Sequence, residues 1–146
     1  MNKTNYLVAG VFAVAFLLLT SCSTMQAKKP VFKGTKWVCV QQEFVADAGT
    51  MTETYTLEFT SAKDCIWKDS WVLPAHPAMY MNSDGTVDTI PASGSESVAP
   101  ASWKYSRGKL TLTFDDGSTR ELLYEKGKLV GEGSFVGPLV FEKIVE

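Results

Sequence analysis

Ser102-Trp103-Lys104-Tyr105-Ser106-Arg107-Gly108-Lys109-Leu110-Thr111-Leu112-Thr113-Phe114-Asp115-Asp116-Gly117-Ser118-Thr119 is the stretch that decides the fold. Its large apolar residues recur at every second position, Trp103 and Tyr105 before the Arg107-Gly108 pair and Leu110, Leu112 and Phe114 after it. A period of two places successive side chains on opposite faces of a strand, whereas a helix needs apolar residues three and four apart. Arg107-Gly108 and Asp115-Asp116-Gly117 read as tight turns, because glycine accepts the positive φ that a short hairpin demands. Two hairpins follow directly one upon the other.

The same pattern extends in both directions. On the C-terminal side, Thr119 to Tyr124 returns, Lys126-Gly127 turns, Leu129 to Gly131 follows, and Leu139 to Val145 forms a last strand after Gly137-Pro138. On the N-terminal side, Trp37-Val38-Cys39-Val40 is a short apolar run, and Thr54-Tyr55-Thr56-Leu57-Glu58-Phe59-Thr60 alternates cleanly. Cys65 to Leu73, rich in tryptophan and β-branched residues, is a third strand behind the Ser61-Ala62-Lys63-Asp64 turn. Strands spaced by roughly 8 to 12 residues with turn signals between them predict an all-β fold. About eight strands close into a small antiparallel barrel over residues 34–146. Residues 74–100 interrupt the rhythm with Pro74, Pro77, Pro91 and Pro100, a Ser/Gly-rich stretch at Ala92-Ser93-Gly94-Ser95, and one hairpin signal at Asn82-Ser83-Asp84-Gly85. They read as a long excursion from the barrel, of the length that often carries function.

Ahead of the barrel the chain changes character. Met1-Asn2-Lys3-Thr4-Asn5 is polar with one cation, Tyr6 to Leu19 is apolar, and Leu19-Thr20-Ser21-Cys22 ends the run. These are the n-region, h-region and small-residue cut of a secretory signal over residues 1–21. The apolar run, about 14 residues, falls short of the roughly 20 that a spanning helix requires. Leu19-Thr20-Ser21-Cys22 resembles the lipobox of bacterial lipoproteins. The resemblance implies that the Cys22 thiol receives a diacylglycerol, that Cys22 becomes the mature N-terminus, and that its amino group accepts a further acyl chain such as palmitate. Two or three chains anchor stably where one does not. Residues 22–33 then form a cationic tether with no apolar period. Ser23, next to the lipidated residue, lacks the acidic side chain that retains many proteobacterial lipoproteins in the inner membrane, which points to the outer membrane of the cell envelope.

A tether, Gly34-Thr35-Lys36-Trp37 at the first strand, Tyr55 to Thr60, Gly108 to Phe114 and a closing Phe141-Glu142-Lys143 together resemble the small lipocalin-like lipoproteins of Bacteroidetes. In lipocalins a Gly-x-Trp opens the first strand and its tryptophan plugs the closed end. Here the spacing is Gly34-x-x-Trp37, one residue longer. The resemblance implies a lipocalin-like barrel with Trp37 buried at one end beside the strand that carries Phe141.

Removal of residues 1–21 from the 146 leaves 125, one ordinary domain. Lys3 leaves with the leader, so 13 basic side chains remain against 16 acidic ones. Without a cationic cluster, nucleic acid is excluded as a partner. The only histidine, His76, lies in Pro74-Ala75-His76-Pro77 and reads as an exposed loop residue; no ligand spacing for zinc accompanies it. Asp84, Asp115 and Asp116 sit beside glycines as turn caps. Ser95 has no partner for a hydrolytic triad, and no motif for metal, cofactor or phosphate chemistry is present. The expectation is a monomeric, non-enzymatic binding protein, attached to the membrane through its N-terminal lipid. Tyr55, Trp67, Trp71, Trp103 and Tyr105 are the candidates to line a small apolar ligand in the barrel, unless the rings simply fill it. The alternative is an inhibitor or interaction barrel that recognises a protein partner through its loops. Cys39 and Cys65 either form a disulfide, as an exported even pair often does, or stay as two buried thiols, because the second strand lies between them.

Overall fold

A computed structural model describes residues 29–133 and 136–144. The leader expected over 1–21, Cys22 and the expected tether up to residue 28 lie outside the described residues. The described residues form ten strands in order: β1 (Lys36–Val45), β2 (Gly49–Glu58), β3 (Asp64–Leu73), β4 (His76–Met81), β5 (Val87–Ile90), β6 (Ser93–Ser106), β7 (Lys109–Phe114), β8 (Thr119–Glu125), β9 (Lys128–Gly131) and β10 (Leu139–Ile144). Eight of them close an antiparallel barrel in the order β1-β10-β9-β8-β7-β6-β3-β2, and β4 pairs with β5 in a separate two-stranded hairpin. Among the described residues no helix is long and apolar enough to cross a membrane.

The turns follow from residue type. Arg107 (φ 52°) and Gly108 (φ 82°) join β6 to β7, and Lys126 (φ 48°) and Gly127 (φ 82°) join β8 to β9. Positive φ at both central residues is the two-residue turn whose twist matches the flanking strands. Asp116 caps the β7–β8 turn: its Oδ1 accepts from the Ser118 N–H at 2.8 Å and from the Ser118 hydroxyl at 2.6 Å. Asp84 does the same for Thr86 in the β4–β5 turn, at 3.0 and 2.6 Å. Those hydrogen bonds hold both carboxyls below the ordinary aspartate value.

The barrel is filled. Leu57, Leu110, Leu112, Leu122, Leu129 and Phe141 have no exposed surface, as expected of an eight-stranded barrel whose interior is just wide enough for side chains. One end is plugged by Phe32, whose ring packs between Trp37, Phe59, Trp103, Tyr105 and Tyr124 at centroid distances of 5.0 to 6.0 Å. The plug is tied down: the Thr35 N–H donates to the Phe32 carbonyl, the Gly34 N–H to the Phe59 carbonyl, and the Trp37 indole N–H to the Thr35 hydroxyl. Trp37 is buried there, paired with Lys143 of β10 in the register that also carries Phe141. The tether expected over 22–33 therefore ends earlier, because Phe32 belongs to the core.

The excursion expected over 74–100 is also shorter. Only 74–92 leaves the barrel; from Ser93 the chain is already β6, paired with β3 from Ser93↔Leu73 to Ser102↔Asp64. Pro100 is compatible with this strand for a geometric reason. The Trp103 N–H donates to the Lys63 carbonyl, so odd-numbered residues of β6 bond toward β3 and even-numbered ones point away. Proline's missing N–H thus falls on the side where β7, which starts pairing at Ala101↔Phe114, has ended.

Cys39 and Cys65 are both free and buried. Both point into the barrel with β2 between their strands. Two strand spacings, about 9.5 Å, exceed the ~7 Å between bridgeable Cα atoms. The disulfide is ruled out by that separation.

Candidate functional site

At the end opposite Phe32 the barrel rim is uneven. The short strands β7, β8, β9 and β10 stop, while β1, β2, β3 and the first half of β6 continue as a four-stranded wall, in register as far as Val45↔Gly49, Thr52↔Val72 and Leu73↔Ser93. The inner face of this wall is polar and aromatic. Alternation from buried Leu57 brings Tyr55 and Glu53 inward on β2; from buried Trp67 it brings Asp69 and Trp71 inward on β3, with Ser97 and Ser95 across from them on β6.

Trp67 is the floor. It is buried, packs on Phe141 at 5.5 Å and Tyr55 at 5.9 Å, and carries the Arg120 guanidinium over its ring at 4.5 Å. Arg120 reaches this position because Leu112↔Arg120 and Leu110↔Leu122 are consecutive inward pairs of β7 and β8. The indole face compensates the cation for part of its lost water. Above the floor the Tyr55 hydroxyl donates to Glu53 Oε2 at 2.9 Å, and the Ser97 hydroxyl donates to Asp69 Oδ1 at 2.8 Å. Burial pushes the Tyr55 phenol up to about 12; the hydrogen bond to Glu53 and the charges of Glu53 and Asp69 add to this, and Arg120 opposes it. An open cleft of about 410 Å³ runs from this floor to the outside, between β6 and the β7–β8 turn, lined among others by Trp67, Asp69, Val98, Phe114, Asp115 and Arg120.

The five candidate ring residues are not brought together. Trp103 and Tyr105 face Phe32 at the plugged end, and Trp103 gives its indole N–H to the Ser61 carbonyl at 3.2 Å. Tyr55 and Trp67 lie at the open end, and Trp71, 37% exposed, stands on the wall above them. The rings at the plugged end and the leucines between the two ends occupy the volume that a ligand inside the barrel would need. His76 opens β4 rather than lying in a loop, with Nδ1 3.0 Å from the Pro74 carbonyl. Among the described residues no three His, Cys, Asp or Glu side chains are grouped to hold a metal ion.

Glu53, Asp69, Ser97 and Arg120 were not among the expected site residues, yet the sequence holds a signal for two of them. Asp69 alternates with Trp67 and Trp71, and Arg120 alternates with Leu122 and Tyr124; a charge in the inward register of an apolar strand marks a barrel mouth.

No family model, curated protein or solved structure matches this chain. The architecture and the mouth therefore carry the functional reading on their own.

Proposed function

We propose that the chain is a lipid-anchored, non-enzymatic binding protein of the bacterial cell envelope, built as a lipocalin-like barrel that recognises a protein partner at its open end. The anchor rests on Leu19-Thr20-Ser21-Cys22 behind an apolar leader, with lipid on Cys22 and, from Ser23, attachment to the outer membrane. The likeness to small lipocalin-like lipoproteins rests on Trp37 at the plugged end and on the order of the strands.

One observation carries the choice of partner. The barrel interior is occupied by its own leucines and aromatic rings, while hydrogen-bonding, charged and aromatic groups stand on a wall that continues beyond the rim. A small apolar ligand inside the barrel would have to displace side chains that have no exposed surface. A partner on the wall displaces only water.

Native mass spectrometry of the lipidated protein released from envelope membranes tests this reading. The expected species is the chain from Cys22 with its acyl groups and no small adduct, alone or with a protein bound. A stoichiometric apolar adduct would overturn it in favour of a ligand-carrying barrel.

A further inference from the structure

We infer that the free edge of β6, Ser93 to Ala99, accepts an extended, positively charged segment of the partner protein as an additional antiparallel strand. This rests on the reading of the open end as a recognition surface, and names the mode and the chemistry of recognition.

β6 is bonded to β3 along Ser93–Ser102 but to β7 only along Ala101–Ser106. Among the described residues its first half therefore has one satisfied side and one open side, and Ser93 to Val98 are all exposed. Since odd residues bond toward β3, Gly94, Glu96 and Val98 direct their N–H and C=O groups outward, a row of donors and acceptors with no partner among the described residues that an incoming strand completes. The N–H groups at Gly94, Glu96 and Val98 repeat at the strand period, and Pro100, which has no N–H, ends the row where the β7–β8 turn begins.

Side chains on both faces of this edge fit a strand. The inward positions are Ser95, Ser97 and Ala99, too small to obstruct a neighbour, and they lead into the cleft lined by Trp67, Asp69, Asp115 and Arg120. The occupant lies in line with β7, with one end against that turn. Charge selects its chemistry. Glu96 on the edge and Asp69, Asp115 and Asp116 around the cleft outnumber Arg120 and Lys68, the latter paired with Val98. Lysine or arginine opposite Glu96 and at the cleft end complements these carboxylates.

A second copy of this chain is the poorer occupant. Two-fold antiparallel pairing of the free stretch centres on Glu96 and sets the two carboxylates directly opposite each other, which is destabilising. Glu96 and Pro100 thus act as guards against self-association while leaving the edge open to a cationic strand.

The test uses the full mature chain as bait for a library of random linear dodecapeptides, followed by amide chemical-shift mapping with the enriched peptides. The expected result is enrichment of alternating sequences bearing Lys or Arg, with the largest shifts at the Gly94, Glu96 and Val98 amides. Val98→Pro removes one outward N–H without touching a bond to β3, and Glu96→Lys reverses the central charge. Each should weaken binding by about tenfold, with an unchanged circular dichroism spectrum as the check that the fold is intact. Peptides that map elsewhere on the open end, or whose affinity survives both substitutions, would overturn strand addition while leaving the recognition surface standing. Enrichment of acidic peptides, or of none, would overturn the inference as well. A small adduct in the native mass spectrum would instead defeat the underlying reading.

Discussion

Phe32→Ala measures how much one ring at the plugged end contributes to the whole domain. Phe32 is 2% exposed and has five aromatic neighbours, each within the centroid range of favourable ring pairs. Truncating a buried Phe costs about 3–5 kcal/mol through lost transfer energy and the cavity left behind. Four of the neighbours are fixed to strands and Phe59, just past β2, is held by backbone hydrogen bonds to Gly34 and Thr35, so they cannot collapse into the space, which places this site toward about 4–5 kcal/mol. Against a total of ~5–15 kcal/mol for a domain, that is a large fraction, and it lowers the melting temperature by about 10–20 °C. Urea unfolding followed by tryptophan fluorescence is the assay. Phe44→Ala is the control: it is 76% exposed on β1 and should stay within about 0.5 kcal/mol of wild type. A chain that starts at Gly34 should lose as much as Phe32→Ala. A loss below about 1 kcal/mol for Phe32→Ala would refute the plug and return residues 31–33 to the tether.

Other expectations follow from the barrel interior and the leader. A Cβ on Gly131 would meet Leu122 Cδ2 and lie 3.3 Å from the Glu121 carbonyl, so Gly131→Ala should cost about 1–3 kcal/mol by overpacking, read as a lower urea midpoint; an unchanged midpoint would contradict the packing. Burial pushes the Cys65 thiol from 9.0 up to about 12, and Tyr55 is raised to about 12 as well. Because these folded values lie above the unfolded ones, their contribution to stability is complete below pH about 9 and is lost as the pH rises toward about 12. The urea midpoint should fall across that window, less steeply in Cys65→Ala, and iodoacetamide should modify two thiols in the denatured, unreduced chain once Cys22 is lipidated. Cys22→Ala should abolish fatty-acid labelling, and equal labelling of wild type and variant would refute the anchor.

The residues that announced the fold are those with one buried face and one wet face. Leu110, Leu112 and Phe114 alternate with Lys109, Thr111 and Thr113 because the barrel buries only one side of β7, and a period of two survives in the sequence. Ser93 to Val98 could not be read that way, since both faces of that half of β6 are exposed and Ser-Gly-Ser-Glu-Ser has neither turn order nor alternation. Its strand exists through pairing with β3, whose partner residues lie 20 (Leu73↔Ser93) to 30 (Lys68↔Val98) positions away in sequence, and non-local pairing leaves no local pattern. Phe32 was hidden for a related reason. A single ring after Lys28-Lys29-Pro30-Val31 has no periodicity, and its burial is set by the need to close a barrel end that forms far along the chain. At the mouth, the rings were legible and their grouping was not. Trp67 and Trp103 share an inward register, but which of them stands at which end depends on strand stagger.

The proposed recognition surface is tested most directly by photocrosslinking in intact cells from single positions of the full-length expressed chain. A photoreactive amino acid at Val98 or Trp71, on the continued wall, should give a discrete adduct with one protein partner. The same group at Leu123, exposed on β8 and facing away from the mouth, should give none. Adducts of equal yield from Leu123, or no adduct from Val98 and Trp71, would contradict the account.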